Sequence, residues 1–465
     1  MHRRALLRTG VTAGAALVSP RIGAASIAAA RQDTGEFEPL GRISVEGAAE
    51  AAVDDTGDVA YLAATNGFAT VDVSDPAEPK RLAEERRIEV DGAQLSMILD
   101  VSVDGDRLVA PGPVNPIDRF FDGFVVYDVS DPADPERVAD YETGYHIHNC
   151  ELDGDVLYVV ANGPGGNALE LFDVGGDEVE ELGRWSLLDR EPEWEEVGWR
   201  TWYLHDVTVR DDVACLAHWD AGTYLLDVSD PSEPEHIFRV AEVAVEDARD
   251  VETGADPEHG LPGNDHYAAV DDTGDLLAVG REAWTTGGSG PDGPGGIDLY
   301  DVGDPDDPRR LATIDPPEPE SGDGSYNRGE WTTSHNFELR DGRLYSSWYQ
   351  AGVKVHDVSD PGDPVELVSW ADRETAGFWT ARVATPGETF VASSTGLIPN
   401  AETEHALYTF PIPPDENGED GGTGAADDDD SVPGFAGIAG VVGLAGGALG
   451  LEWARRRRGR DRRRE

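Results

Sequence analysis

Residues 125–135 read VVYDVSDPADP, and the same words return along the chain. They appear as TVDVSDPAEP at 70–79, LLDVSDPSEP at 225–234, LYDVGDPDDP at 299–308 and VHDVSDPGDP at 355–364, with a worn copy, LFDVGGDEVEEL, at 171–182. Each copy is an apolar run that stops at Asp-Pro and resumes as a second run, such as Glu136 to Tyr141. Proline lacks an amide donor and fixes φ, so a strand ends there. The preceding Asp can bond the amides of the turn. The unit is therefore strand, tight polar turn, strand.

The repeated Asp falls at positions 72, 128, 173, 227, 301 and 357. Upstream of each lies a second strand pair around a short turn, as at Asp104-Gly105-Asp106, Asp153-Gly154-Asp155 and Asp341-Gly342. Four strands in each period of about 40–50 residues mark the blades of a propeller. Six blades carry the Asp-Pro unit. A seventh, over residues 378–383, 389–394 and 406–411, has only three strands. The fourth is expected from residues 38–45, whose pattern matches the strand that follows each Asp-Pro turn. The expected fold is all-β, a seven-bladed β-propeller closed by the N-terminal strand, so that no sheet edge is left open.

These repeats resemble the LVIVD repeat. SHNFELRDGRLYSSWYQAGVKVHDVSDP at 334–361 and GFWTARVATPGETFVASSTGL at 377–397 resemble the related choice-of-anchor B surface proteins. The resemblance spans residues 37–413 and implies a surface-displayed propeller, with no settled reaction.

The two ends suggest export and anchoring. Arg3 and Arg4 precede a weakly apolar run, which resembles a Tat-type signal peptide over residues 1–30. The propeller then occupies 31–414, and 415–432 is an acidic, Gly-rich linker. Residues 435–453 are long enough to cross a bilayer as one transmembrane helix, and 455–464 are strongly basic, which places the tail in the cytoplasm. Pro433-Gly434-Phe435 before this span resembles the PGF-type sorting signal of archaeal surface proteins, in which the 433–465 segment is exchanged for a lipid anchor. The expected location is the extracellular face of the membrane.

Formal charge agrees with that picture. The 465 residues carry 36 basic and 93 acidic side chains, a net −57, with Lys80 and Lys354 the only lysines. The excess is spread along a chain that is 39% hydrophobic, so it reads as a folded, halophilic surface in which salt screens self-repulsion. Nucleic acid is excluded as a partner by the same charge. Cys150 and Cys215 fall in neighbouring blades and are expected to be buried and unpaired.

Blade geometry puts all the long insertions (111–122, 189–202, 244–265, 282–296 and 315–333) on one face of the disc, and long loops usually serve function. Four innermost strands begin with His in one register: His148, His205, His266 and His335, each four residues before an apolar position. Ala49, Leu99 and Trp379 hold that position in the other blades. Innermost strands surround the axis, so these imidazoles are expected to converge on a single transition metal (Fe, Cu or Zn) or a polar ligand. Alternatively, each His bonds its own loop or lines a water-filled channel. His146, His218, Trp219, Trp284, Trp348 and Tyr349 are expected on the same face, with Asp206 orienting a ligating His. No Ser-His-Asp triad or nucleotide fingerprint is present, and His205-Asp206 lacks a nucleophile. Two functions follow. One is a surface-anchored binding module for a protein, glycan or small molecule; the other is an exported multi-His metal-dependent oxidoreductase. Whether the chain is an enzyme stays open at this level.

Overall fold

The computed structural model describes residues 37–414 apart from 118, 164–165, 249–259, 262–263 and 288–291. The signal at Arg3 and Arg4, the linker over 415–432 and the sorting and membrane segment with Pro433, Gly434 and Phe435 lie outside the described residues. No helix among the described residues is long and apolar enough to cross a membrane.

Seven four-stranded antiparallel sheets make a seven-bladed propeller. The innermost strands are Ala51–Val53, Ser102–Asp104, His146–Asp153, Asp206–Arg210, Asp265–Val270, Phe337–Arg340 and Phe378–Thr385, for blades 1 to 7 in that order. In blade 7 the outer strand is Gly41–Ser44, paired with Ala406–Pro411 in the register Gly41 to Thr409 and Ser44 to Ala406. The N-terminal strand therefore closes the ring, as the three-stranded last blade predicts.

The repeated words have a physical job in every blade. Asp72 Oδ1 accepts from the amide of Ser74 (3.0 Å) and from its hydroxyl (2.6 Å). Asp128, Asp173, Asp227, Asp301 and Asp357 accept the equivalent amide two residues on. The Asp before Pro makes a second turn of the same kind, as when Asp75 accepts from Ala77 at 3.2 Å. The intervening Val73, Val129, Val174, Val228, Val302 and Val358 are buried. Each valine sends its amide across to the turn of the first two strands, for example Val73 to the Asp58 carbonyl at 2.8 Å. The turns on this short-turn face are thus locked to each other within a blade. Neighbouring blades are tied as well: the Thr70 hydroxyl donates to the Pro132 carbonyl (2.6 Å), and the Thr409 hydroxyl to that of Pro76 (2.5 Å).

On the opposite face a different tie recurs. Thr65, Trp219 and Tyr349 leave the second strand of their blades with positive φ (58°, 34° and 45°). Each forms an antiparallel bridge to the next blade, Trp219 and Tyr349 at the start of its first strand (Asp265 and Phe378) and Thr65 at Ile98, four residues before it. A positive φ is uncommon for bulky residues, and here the two-way backbone bonds to the next blade hold it.

Deleting residues 31–46 should expose the edge strand Ala406–Pro411. Concentration-dependent association on size-exclusion chromatography with light scattering is the expected outcome. A variant that stays monomeric with an unchanged melting temperature would show that closure contributes nothing.

Candidate functional site

The first strands do more than line the axis. In an ideal strand, successive side chains alternate between faces. At the top of these strands, two consecutive residues face the axis instead. Register shifts at Ile147/Cys150, Asp265/Tyr267 and Phe378/Thr380 leave His148 and Asn149, His266 and Trp379 as extra residues of β-bulges. In blade 4, the His205 amide and the paired residue Asp206 both oppose Ala217. Bulges re-aim side chains in this way. The first residue of each pair lines a cup on the long-loop face, and the second lines an axial channel beneath it.

In the cup the four register histidines stand in a row. Ring centroids lie 4.1 Å apart for His148–His205, 3.6 Å for His205–His266 and 4.7 Å for His266–His335. Three are held by backbone carbonyls through Nδ1: His148 by Val114 (3.1 Å), His205 by His266 (3.0 Å) and His335 by Trp379 (2.5 Å). A carbonyl only accepts, so Nδ1 carries the proton and Nε2 keeps a free lone pair. His266 is arranged differently. Its Nε2 lies 3.1 Å from Glu282 Oε2, and its buried Nδ1 has no hydrogen-bond partner among the described residues. Burial pushes His148 and His335 down to about 3, and His205 well below the usual imidazole range, with neighbouring imidazoles adding to the shift in each case. All three are therefore neutral at neutral pH. Burial acts to raise the Glu282 carboxyl, but His266, His335 and the Tyr349 hydroxyl, which donates to Glu282 Oε1, bring it down to about 2.

Aromatic rings wall the cup. Tyr203 and Trp219 stand on one side at 5.2 Å, with His146 Nε2 3.1 Å from the Tyr203 hydroxyl. On the other side Trp379 lies 4.3 Å from His335, Trp331 lies 5.0 Å from Tyr349, and Trp284 lies 4.9 Å from Trp331. The cup thus gathers His146, His148, His205, His266, His335, Trp219, Trp284 and Tyr349, as expected from the shared face.

Three expected residues are placed elsewhere. Asp206 does not back an imidazole. The bulge turns it down into the channel, where its carboxylate accepts from Asn149 Nδ2. His218 is fully buried against Trp185 and Tyr224, with Nδ1 3.1 Å from the Trp202 carbonyl. Trp348 is fully buried in the core between blades 5 and 6 and donates to Ser346 Oγ at 2.8 Å. Glu282 was not foreseen, although the register contains it: Trp219, Glu282 and Tyr349 each lie six residues after the residue paired with the repeated Asp, namely Val213, Leu276 and Arg343. Cys150 and Cys215 are buried and unpaired.

Below the cup, the channel holds Glu50, Asp100, Glu151 and Asp206 around Arg382. Arg382 reaches Glu50 at 3.1 Å and the Tyr267 hydroxyl at 2.8 Å, Asn336 donates to Glu50 at 2.8 Å, and Asp100 accepts the Cys150 amide at 2.7 Å. Burial, helped by the Glu50 carboxylate, raises Asp100 to about 7. Glu151 is raised to about 8 by burial, against the pull of Arg382. Asp206 is raised well above the carboxylate range, again mainly by burial.

An LVIVD-repeat family model matches residues 52–82, 120–143 and 203–242. No curated protein matches the sequence. Among solved structures, the β-propeller domain of Cps50 (Swd1) from Myceliophteria thermophila is similar with a TM-score of 0.53 at 10% identity, over 81% of this chain and all of that one. A chain of a mitotic checkpoint complex is similar with a TM-score of 0.50 at 12% identity, over 82% of this chain and 97% of that one. At such identities the likeness is one of fold.

The channel carboxyls make a pH prediction. Asp100 and Glu151 keep a proton in the folded state where the unfolded chain has lost it. Their contribution to stability therefore falls as pH rises from about 4 to about 8. In thermal melts, the double variant Asp100→Asn with Glu151→Gln should gain on wild type progressively between pH 5 and pH 8.5. Parallel curves would mean that neither carboxyl is shifted.

Proposed function

We propose that this chain is a ligand-binding propeller, exported and held at the cell surface, whose long-loop face takes a small molecule into the cup. The observation that carries the reading is the cup itself. Aromatic rings from several blades wall it, and a floor of neutral imidazoles offers a few convergent polar atoms. Apolar walls with sparse, fixed polar groups characterise small-molecule sites. The wall area favours a planar or apolar body, and the Nε2 lone pairs favour a hydrogen-bond donor at its inner end. Among a protein, a glycan and a small molecule, the last fits a recess of this depth best.

A second reading, an exported iron- or copper-dependent oxidoreductase on the same axis, draws on the row of imidazoles. It differs in requiring turnover, which oxygen uptake by the metal-loaded protein would register.

For the first reading, a panel of planar heterocycles and phenolic compounds should raise the melting temperature of the wild-type protein. Trp379→Ala and Tyr203→Ala should each weaken binding of a hit by at least tenfold, while Trp370→Phe, on an outer strand, leaves it unchanged. Hits that stabilise all three variants equally would place the binding surface elsewhere.

Export and anchoring rest on the terminal sequences. Replacing Arg3 and Arg4 together by Lys should retain the protein in the cytoplasm. Truncation before residue 433 should release the propeller into the medium. Normal surface display of both variants would remove this part of the reading.

A further inference from the structure

We propose that His205, His266 and Glu282 hold one divalent first-row transition metal, with two imidazoles and one carboxylate supplied by blades 4 and 5. The proposal concerns the ion alone and stands whichever ligand fills the aromatic cup.

Geometry is the first support. One ligand atom from each of the three residues lies within 4.8 Å of the other two. The His266 Nε2 to Glu282 Oε2 edge is already 3.1 Å. Two ligands bonded at right angles to one ion at about 2.0–2.1 Å are about 3 Å apart, so this edge needs almost no adjustment. Only His205 has to close in.

Orientation is the second. The carbonyl of His266 fixes the His205 ring with Nε2 as the lone-pair atom. The Tyr349 hydroxyl holds the far oxygen of Glu282. Tyr349 is itself locked by its bridge to Phe378 in the next blade. Metal ligands usually carry outer partners of this kind, and losing one costs about 10–100-fold in affinity.

The donor set narrows the ion. Two nitrogens and one carboxylate oxygen, with coordination positions left open toward the cup, suit Fe(II), Mn(II) or Zn(II). Soft thiolate chemistry has no part in it, because Cys150 and Cys215 pack in the interblade cores. His148 and His335 flank the row with free Nε2 atoms but are not among the three. The centre is thus two histidines and Glu282 rather than four histidines.

The test uses the full-length protein stripped with a chelator and dialysed. Zn(II), Fe(II) and Mn(II) are titrated separately and uptake is counted by elemental analysis. Co(II) serves as a spectroscopic probe through its visible ligand-field bands. One equivalent of at least one of these metals should bind. His205→Ala, His266→Ala and Glu282→Gln should each lose at least 100-fold in affinity and abolish the cobalt bands. Tyr349→Phe should lose about 10–100-fold, and His148→Ala and His335→Ala less than tenfold. Because Glu282→Gln preserves shape, it separates lost ligation from lost folding, and circular dichroism confirms the fold of every variant. No stoichiometric uptake of any metal by the wild-type protein would overturn the proposal. So would equal losses in His148→Ala and His205→Ala.

Discussion

Everything on the axis depends on one departure from regular strand geometry. Where the first strands of blades 3, 5 and 7 enter their sheets, the backbone takes an extra residue, and two neighbours along the chain face the same way. Strict alternation would give each blade one axial side chain per pair of residues. The bulges give two, and the bulged blades repeat the gift at the same height. Two stacked belts result: imidazoles and aromatic rings above, carboxylates and amides below. Neither belt could exist in an evenly pleated ring. The short-turn face carries the cost of holding this arrangement. There, paired Asp turns and buried valines tie the strand ends together in the six blades that carry the Asp unit.

The belts differ in how they satisfy buried polarity. In the upper one, His148, His205 and His335 stay neutral. Its imidazoles are desolvated, and three are tied to carbonyls. The lower one collects acids about the Arg382 guanidinium and relieves the repulsion by keeping protons. Glu282 is the exception in the upper belt, an ionised carboxylate among neutral rings, held by His266 and Tyr349. A charge in such surroundings is expensive unless a partner sits beside it.

Much of this was legible in the chain. The Asp-Pro words mark six blades because proline leaves a strand no alternative. The short last blade points to its missing strand by subtraction. The histidine row was legible because a repeat places equivalent positions at equivalent radius. Asp206 was misjudged because nothing in a sequence announces a bulge, so its side chain was assumed to stay beside His205. Trp348 and His218 were misjudged for the opposite reason: residues at or near the second-strand ends were taken to point into the face, whereas these pack inward. Glu282 sat in the same register as Trp219 and Tyr349 and was hidden by its chemistry, a lone acid where its neighbours carry rings. Trp331 comes from an insertion that has no period to read, while Tyr203 follows one and sits two residues before His205, as His146 does before His148.

The closing strand has a consequence for orientation. Ala406–Pro411 is the third strand of its blade, so the chain leaves it where other blades carry the Asp-Pro turn. Ile412 confirms this by donating its amide to Glu388, in the turn between the first two strands. The described chain therefore ends at residue 414 beneath the disc, on the side away from the cup. A tether attached there acts like the stem of a dish. Under the proposed anchoring, it would leave the imidazole mouth facing away from the anchored side, with the acidic bore pointing back toward the stem.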